Sequence, residues 1–277
     1  MENDGRVDQQ SMVPIMEYHS IGGMVFESEG VVFRQSPVYP GGLCVCGYEG
    51  DGDLLDVPSS MVPDGHRMPV TDIDRRALSG NGSVRRVNLP ESVMTIGEEA
   101  FSRSCVESIL MPGVRDIFSG AFMGCPIVDL ELPRIGFIPP YMLSGCEMLR
   151  SLVMSDRVRL IMKGAFRGCS ALEGLSFPDT LIAIEEEAFA GCSSLSLIAL
   201  PDSLKVIGPR SFRGCTGLSS VVIGNTAREI VNGAFEGCTM LRSVEIPPSV
   251  TKLEDDAFPE WTAIRRLRPY GTRLLPA

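Results

Sequence analysis

The sequence predicts a solenoid, a chain wound into stacked coils of strand and turn, and three observations carry that expectation. Phe166, Phe189, Phe212, Phe235 and Phe258 recur every 23 residues. The first four open a Phe-x-Gly-Cys step, as in Phe189-Ala190-Gly191-Cys192. Each step runs on into a short apolar pattern, Leu195-x-x-Ile198-x-Leu200 after Phe189. A unit this small cannot bury its apolar side alone and must stack on its neighbours, so a fixed period marks a repeat architecture.

The unit from Pro178 to Leu200 contains two apolar sub-patterns. Leu195-x-x-Ile198-x-Leu200 has the Leu-x-x-Leu-x-Leu form of a leucine-rich-repeat strand, because alternating side chains point to opposite faces of a strand. It recurs at Val84/Val87/Leu89, Val106/Ile109/Met111, Ile127/Leu130/Leu132, Leu149/Leu152/Met154, Leu172/Leu175/Phe177, Leu218/Val221/Ile223 and Leu241/Val244/Ile246. Ile264 and Leu267 start a further copy that Pro269 interrupts. Stacked in parallel, these strands form the concave sheet, and prolines at 90, 112, 133, 178, 201 and 247 stop them, since proline donates no ladder hydrogen bond. The other sub-pattern is apolar-x-x-Ile, from Val70/Ile73 through Val158/Ile161 and Leu181/Ile184 to Val250/Leu253, which gives about nine turns.

The Glu-Glu-Ala-Phe stretches are helix-compatible and are expected to form a turn of helix on the convex side, with Phe inward and the Gly before Cys ending it. Two units are short: Phe101 to Phe122 and Phe122 to Leu143 each span 21 residues. The expectation is that the strand ladder survives these deletions while the convex side changes locally. Ile138-Pro139-Pro140-Tyr141 cannot be helix interior.

Met24-Val25-Phe26 and Val31-Val32-Phe33 flank Glu27-Ser28-Glu29-Gly30 and read as a hairpin, part of a β-rich cap over the first coil. Trp261 stands in the Cys position of the last unit and is expected to close it; the tail from Arg265, with Arg266, Arg268 and Arg273, is polar enough to face water. The expected organisation is an N-terminal tail and cap over 1–56, the solenoid over 57–268 and a C-terminal tail over 269–277.

Composition bounds the function. The 277 residues are 44% apolar and 22% charged, ordinary for a folded protein. A net charge of −10 argues against general nucleic-acid binding, which needs a basic face. No apolar run reaches the length that spans a bilayer. Met1-Glu2-Asn3-Asp4-Gly5-Arg6 is not a signal-peptide start, so the expectation is an intracellular chain, or one whose leader has been removed.

The unit Leu89-Pro90-Glu91-Ser92-Val93-Met94-Thr95-Ile96-Gly97-Glu98-Glu99-Ala100-Phe101, repeated with Gly-Cys steps, resembles the BspA-like class of leucine-rich repeats over residues 57–268. Cys46-Gly47-Tyr48-Glu49-Gly50, Val57-Pro58-Ser59-Ser60 and Val70-Thr71-Asp72-Ile73 look like the β-rich cap this family often has. The resemblance implies a non-catalytic solenoid; many members are surface or secreted proteins that bind host proteins or other cells.

Cys125, Cys146, Cys169, Cys192, Cys215 and Cys238 hold one repeat position, and Cys105 sits one residue late. Thiols in a row about 4.8 Å apart suit neither a disulfide nor a four-ligand zinc site, so they read as core filling. Cys44-x-Cys46 beside Asp51, Asp53 and Asp56 lacks a second ligand pair and calcium-loop spacing, and reads as a strand and polar turn. The only histidines are His19 and His66; no nucleophile–base or metal motif appears, and the acidic runs at 98–99 and 185–187 read as solvated convex faces. No cofactor is expected.

The variable residues are the outward positions of the concave strands. The end pairs, Arg86/Asn88, Ser243/Glu245 and Arg266/Arg268, carry charge. The middle is small or apolar apart from Asp129/Glu131: Ser108/Leu110, Ser151/Val153, Gly174/Ser176, Leu197/Ala199 and Ser220/Val222. An exposed apolar strip commonly marks binding. The candidate protein-binding residues are therefore Leu110, Asp129, Glu131, Val153, Ser176, Leu197, Ala199, Val222 and Glu245. The alternative is a structural protein that self-associates through its ends.

Overall fold

The computed structural model describes residues 25–267. The N-terminal hexapeptide, His19, Met24, Arg268, Pro269 and Arg273 lie outside them. The described chain is a solenoid of about ten turns with parallel sheets and, among these residues, no α-helix; Pro63–Gly65 forms a short 3-10 turn. Strand pairing begins before the first recognised repeat, which is why the turns exceed the nine counted from sequence.

The cap starts with β1 (Val25–Ser28) and β2 (Val31–Gln35), an antiparallel hairpin turning at Glu29 and Gly30, both at positive φ. β2 pairs antiparallel with β3 (Leu43–Tyr48). After β4 (Leu54–Asp56) and β5 (Ser60–Met61), β6 (Met68–Ile73) pairs in parallel with β3 and joins the cap to the repeats.

Each later coil holds three short segments. The Leu-x-x-Leu-x-Leu runs make the concave ladder: β4 with 86–88 and 108–110, then 129–131 with 151–153, 197–199 with 220–222, and 243–246 with 263–266. The middle residue of each strand through 244 is buried, from Leu55 and Val87 to Ile198 and Val244. The run at 172–177 forms no ladder strand. Gly174 weakens strand there, and Phe177 turns its ring edge-on to Phe189 at 5.7 Å.

The apolar-x-x-Ile runs make a second parallel ladder, which the sequence reading left unassigned. Strands 137–138, 160–161, 183–184, 206–207, 229–230 and 252–253 pair in register, with Ile138, Ile161, Ile184, Ile207 and Ile230 in one fully buried column. Two-residue strands are too short to show alternation, so periodicity alone could not identify them.

The convex segment is a tandem of turns, in place of the expected turn of helix. Ala188, Ala190 and Cys192 each donate their N–H to the carbonyl three residues back, while the intervening Glu187, Phe189 and Gly191 donate to Pro209, Ser211 and Arg213 of the next coil at 2.7–3.0 Å. The reason is backbone conformation. The residues two before and two after the repeat Phe take positive φ from Phe101 to Phe235, as at Gly164 and Gly168 or Glu187 and Gly191. Left-handed residues four apart interrupt any helix. Around Phe101 both positions are non-glycine, Glu99 (φ 53) and Arg103 (φ 56).

This ladder fixes the core columns. Phe166, Phe189, Phe212, Phe235 and Phe258 stack with centroids 4.8–5.2 Å apart and planes within 9°. Each column thiol donates to a carbonyl 24 or 26 residues earlier: Cys192 to Phe166 and Cys215 to Phe189, both at 3.2 Å. The column begins at Ser104, whose hydroxyl lies 3.5 Å from Cys125 Sγ, so Cys105 sits outside it and is half-buried. All nine cysteines, every one within the described residues, are free thiols. Burial pushes Cys125 up to about 11 and Cys169 up to about 12, and raises Cys146 and Cys192 well above the ordinary range.

The shortened units behave opposite to expectation. The turn ladder crosses them unbroken, with Gly120, Phe122 and Gly124 donating to Pro140, Met142 and Ser144. Both strand ladders stop instead: 108–110 does not pair with 129–131, nor 116–117 with 137–138. One cause is loop length. Pro112-Gly113-Val114 and Pro133-Arg134-Ile135 are shorter than Pro90-Glu91-Ser92-Val93, and Ile135 N–H closes a tight turn onto Pro133. Another is Pro139. In neighbouring coils Phe118 and Met162 donate at this position to Ile96 and Ile138, but proline has no N–H for Ile117.

Two corrections fall at the C-terminal end. Trp261 is 49% exposed and does not close the last coil; Thr262 is buried, donating to the Leu241 carbonyl at 2.9 Å. Ile264 pairs with Val244, so the last outward pair is Ala263/Arg265 rather than Arg266/Arg268.

Three outcomes are expected. Phe189→Ala should destabilise by about 3–5 kcal/mol in urea unfolding, because it opens a cavity between two stacked rings. Arg103→Gly should stabilise by about 0.5–1 kcal/mol in the same assay by relieving a left-handed non-glycine residue. The raised thiols add a pH dependence. The unfolded chain ionises cysteine near 9.0 while the folded column stays protonated towards about 12. Stability is therefore full below pH 9 and falls above it, by up to about 1.4 kcal/mol per pH unit for each buried thiol. Melting temperatures measured from pH 8 to 11 should fall less steeply in Cys169→Ser and Cys192→Ser.

Candidate functional site

Strand alternation positions the concave face. With the middle residue of a strand buried, the residues on either side of it point outward. Leu110 is 67%, Val153 56%, Leu197 57% and Val222 57% exposed, and Asp129, Glu131, Ala199 and Glu245 are exposed beside them. Ser176 is exposed but lies in the run without ladder pairing.

Register shows which of these residues meet. Glu131 lies beside Val153, Ala199 beside Val222, and Glu245 beside Arg265, with which it forms a 2.9 Å ion pair. Leu197 faces Ser220 one position along from the Ala199–Val222 pair. Leu110 lies beside Asn88 and is separated from Glu131 by the ladder break. The apolar strip expected from sequence is thus three clusters: Leu110, Val153 with Glu131, and Leu197 with Ala199 and Val222.

The break opens a cleft of about 710 Å³. Leu110 and Glu131 line it with Glu91, Arg115 and Arg134. Neither arginine has a carboxylate within ion-pair distance among the described residues. The shortened loops that cause the break also line the opening.

A second apolar row escaped the sequence reading. On the other ladder the residue before each buried Ile points outward, and Phe137, Leu160, Ala183 and Val206 follow one another in direct register. Phe137 is exposed and the other three are half-buried. The position preceding each repeat's Ile carried this signal.

The cap's polar residues form a structural network. Cys44 lies beside Asp72 in register, and Arg34 pairs with Asp74. Burial raises the Cys44 thiol to about 12 and also raises Asp72, which accepts from Thr71 Oγ1 at 2.7 Å. Asp53 pairs with Arg86 rather than turning toward the cysteines. Among the described residues no three His, Cys, Asp or Glu side chains converge as a metal site. The acidic convex runs tie coils together: Glu98 to Arg75, Glu99 to Arg76, Glu186 to Lys163 and Glu187 to Arg167. Such exposed pairs contribute little individually.

The BspA type leucine rich repeat region matches in six copies, over residues 67–150 and 136–265. No curated protein matches the chain. Among solved structures, the chain resembles the Pneumococcal vaccine antigen PcpA at 15% identity and a TM-score of 0.51, covering 88% of this chain and 85% of that one. It is also similar to the T. pallidum leucine rich repeat protein, at 27% identity and a TM-score of 0.43, covering 84% and 90%. A leucine rich cell surface protein from Faecalibacterium prausnitzii matches at 20% identity and a TM-score of 0.43, covering 86% of each chain. No helix among the described residues is long and apolar enough to cross a membrane. With the family pattern matched over well over half its length and every matched segment folded as coil, strand or turn, the chain belongs to the BspA-type leucine-rich-repeat proteins.

Proposed function

We propose that the chain is a non-catalytic protein-binding module that engages a protein partner through its concave face. One observation carries the reading: Leu110, Val153, Leu197 and Val222 are each more than half exposed on strands whose intervening residues are buried. Large apolar side chains held rigidly outward are inexpensive to desolvate and suit a partner's apolar anchors. Asp129 and Glu131 frame them with negative charge and favour a partner with basic residues at the rim. The family is generally non-enzymatic and its members generally bind proteins, which supports the same reading.

A second reading, self-association through the ends, draws on the last strand, where Ile264 is 46% exposed at a position that is buried in the preceding strands. Sedimentation over a concentration series tests it, and a strictly monomeric profile overturns it.

The concave assignment predicts that Val153→Arg with Leu197→Arg leaves the circular dichroism unchanged. Titrated with a partner first identified by pull-down from the native source, this double variant should bind at least about tenfold more weakly than wild type. Equal affinity would place the interface elsewhere.

A further inference from the structure

Among the described residues the concave ladder has an open beginning. β4 pairs on one side with Arg86–Asn88 in the register Leu54↔Arg86, Leu55↔Val87 and Asp56↔Asn88. Among the described residues no strand pairs with its other side. In a parallel ladder alternate residues bond to opposite neighbours. Asp53, Leu55 and Val57 serve the Arg86–Asn88 side, where Asp53 accepts from Arg86 and Val57 donates to Asn88. The amides and carbonyls of Leu54 and Asp56 are therefore directed to the vacant side. Leu54 and Asp56 are exposed, while Leu55 is buried.

Among the described residues the cap leaves this edge uncovered because it builds on the other ladder. β6 lies in the coil of β4, and β3, β2 and β1 extend three strands beyond β6. The result is a step about 14 Å high, at roughly 4.8 Å per strand. Its inner corner is a cleft of about 500 Å³, with Glu29, Val31 and Tyr48 on the cap side and Leu54, Asp56 and Met61 on the β4 side. The corner opens beside the edge of β4 and is lined by both apolar and acidic side chains.

Charge indicates what would fill it. Between Val25 and His66 the only lysine or arginine is Arg34, and it is paired with Asp74. Glu29, Asp51 and Asp56 have no cationic partner within ion-pair distance among the described residues. Two β4 edges from separate copies would bring these acidic rims together, and the projecting cap obstructs the broad end of a second solenoid. We propose that the β4 edge accepts an extended basic segment of a partner protein as an added parallel or antiparallel strand. The backbone of the segment bonds to Leu54 and Asp56, alternate apolar side chains turn into the cleft toward Val31, and lysines or arginines meet Glu29 and Asp56.

The test uses the full chain and a fluorescein-labelled peptide of alternating lysine and valine, seven residues long, followed by anisotropy. Two further probes carry N-methyl groups on the lysine amides or on the valine amides. Strand addition requires one alternate set of N–H groups. One methylated probe should therefore bind at least about tenfold more weakly, since each lost amide bond is worth about a factor of five, while the other binds like the parent. Glu29→Lys, an exposed turn change, and Asp56→Lys should each weaken the parent probe severalfold with unchanged circular dichroism. The Val153→Arg and Leu197→Arg variant should bind it normally, which separates this edge from the concave face. The proposal is overturned if the parent probe does not bind, if both methylated probes bind like the parent, or if Glu29→Lys has no effect. A dimer that forms without peptide and dissociates on Glu29→Lys would overturn it in favour of a second copy.

Discussion

The structure depends on backbone hydrogen bonds that leave each coil and close on the next. Coils built from two- and three-residue strands and from turns cannot satisfy their own amides, so most donors find carbonyls one coil away. On the convex side this takes the form of alternation, with one amide closing the local turn and the following one reaching forward. The phenylalanine and cysteine columns follow from it. Once the backbone of successive turns is superposed, side chains at equivalent positions must lie one over another, and flat rings and small thiols suit such columns.

The thiols illustrate how tightly this constraint couples chemistry to packing. An alanine could also stack at this position. Sulfur, however, carries a donor, and each one reaches the carbonyl of a residue in the preceding coil that already accepts the amide of its own turn. The column is therefore weakly polar and internally satisfied, and Ser104 heads it with a hydroxyl 3.5 Å from Cys125 Sγ. The same burial that suppresses these groups' ionisation removes them from exchange chemistry.

Much of this was readable in the sequence because it is periodic: the Phe and Cys columns, the concave strands and the Glu29-Gly30 hairpin. Features that depend on where hydrogen bonds go were less accessible. Glu185-Glu186-Glu187-Ala188 has helical composition, but left-handed backbone at Glu187 and Gly191 makes it a turn. Ile161 and Ile184 looked like core residues without revealing that each sits in a two-residue strand. The concave candidates were identified individually from alternation, yet Glu131, Ser176 and the ladder break divide what looked continuous, because sequence spacing does not report whether neighbouring strands pair. The row from Phe137 to Val206 went unrecognised for the same reason.

The proline-bearing junction also has a thermodynamic consequence. A solenoid's cooperativity comes from nearest-neighbour coupling between coils, and its folding behaves as a one-dimensional chain of such couplings. At this junction two of the three ladders are interrupted and only the stacked turns and core columns pass through. The coupling there is the weakest between adjacent intact coils. The molecule is accordingly divided into an amino-terminal unit stiffened by the cap and a longer carboxy-terminal unit of regular 23-residue coils, and partial unfolding has a built-in boundary between them.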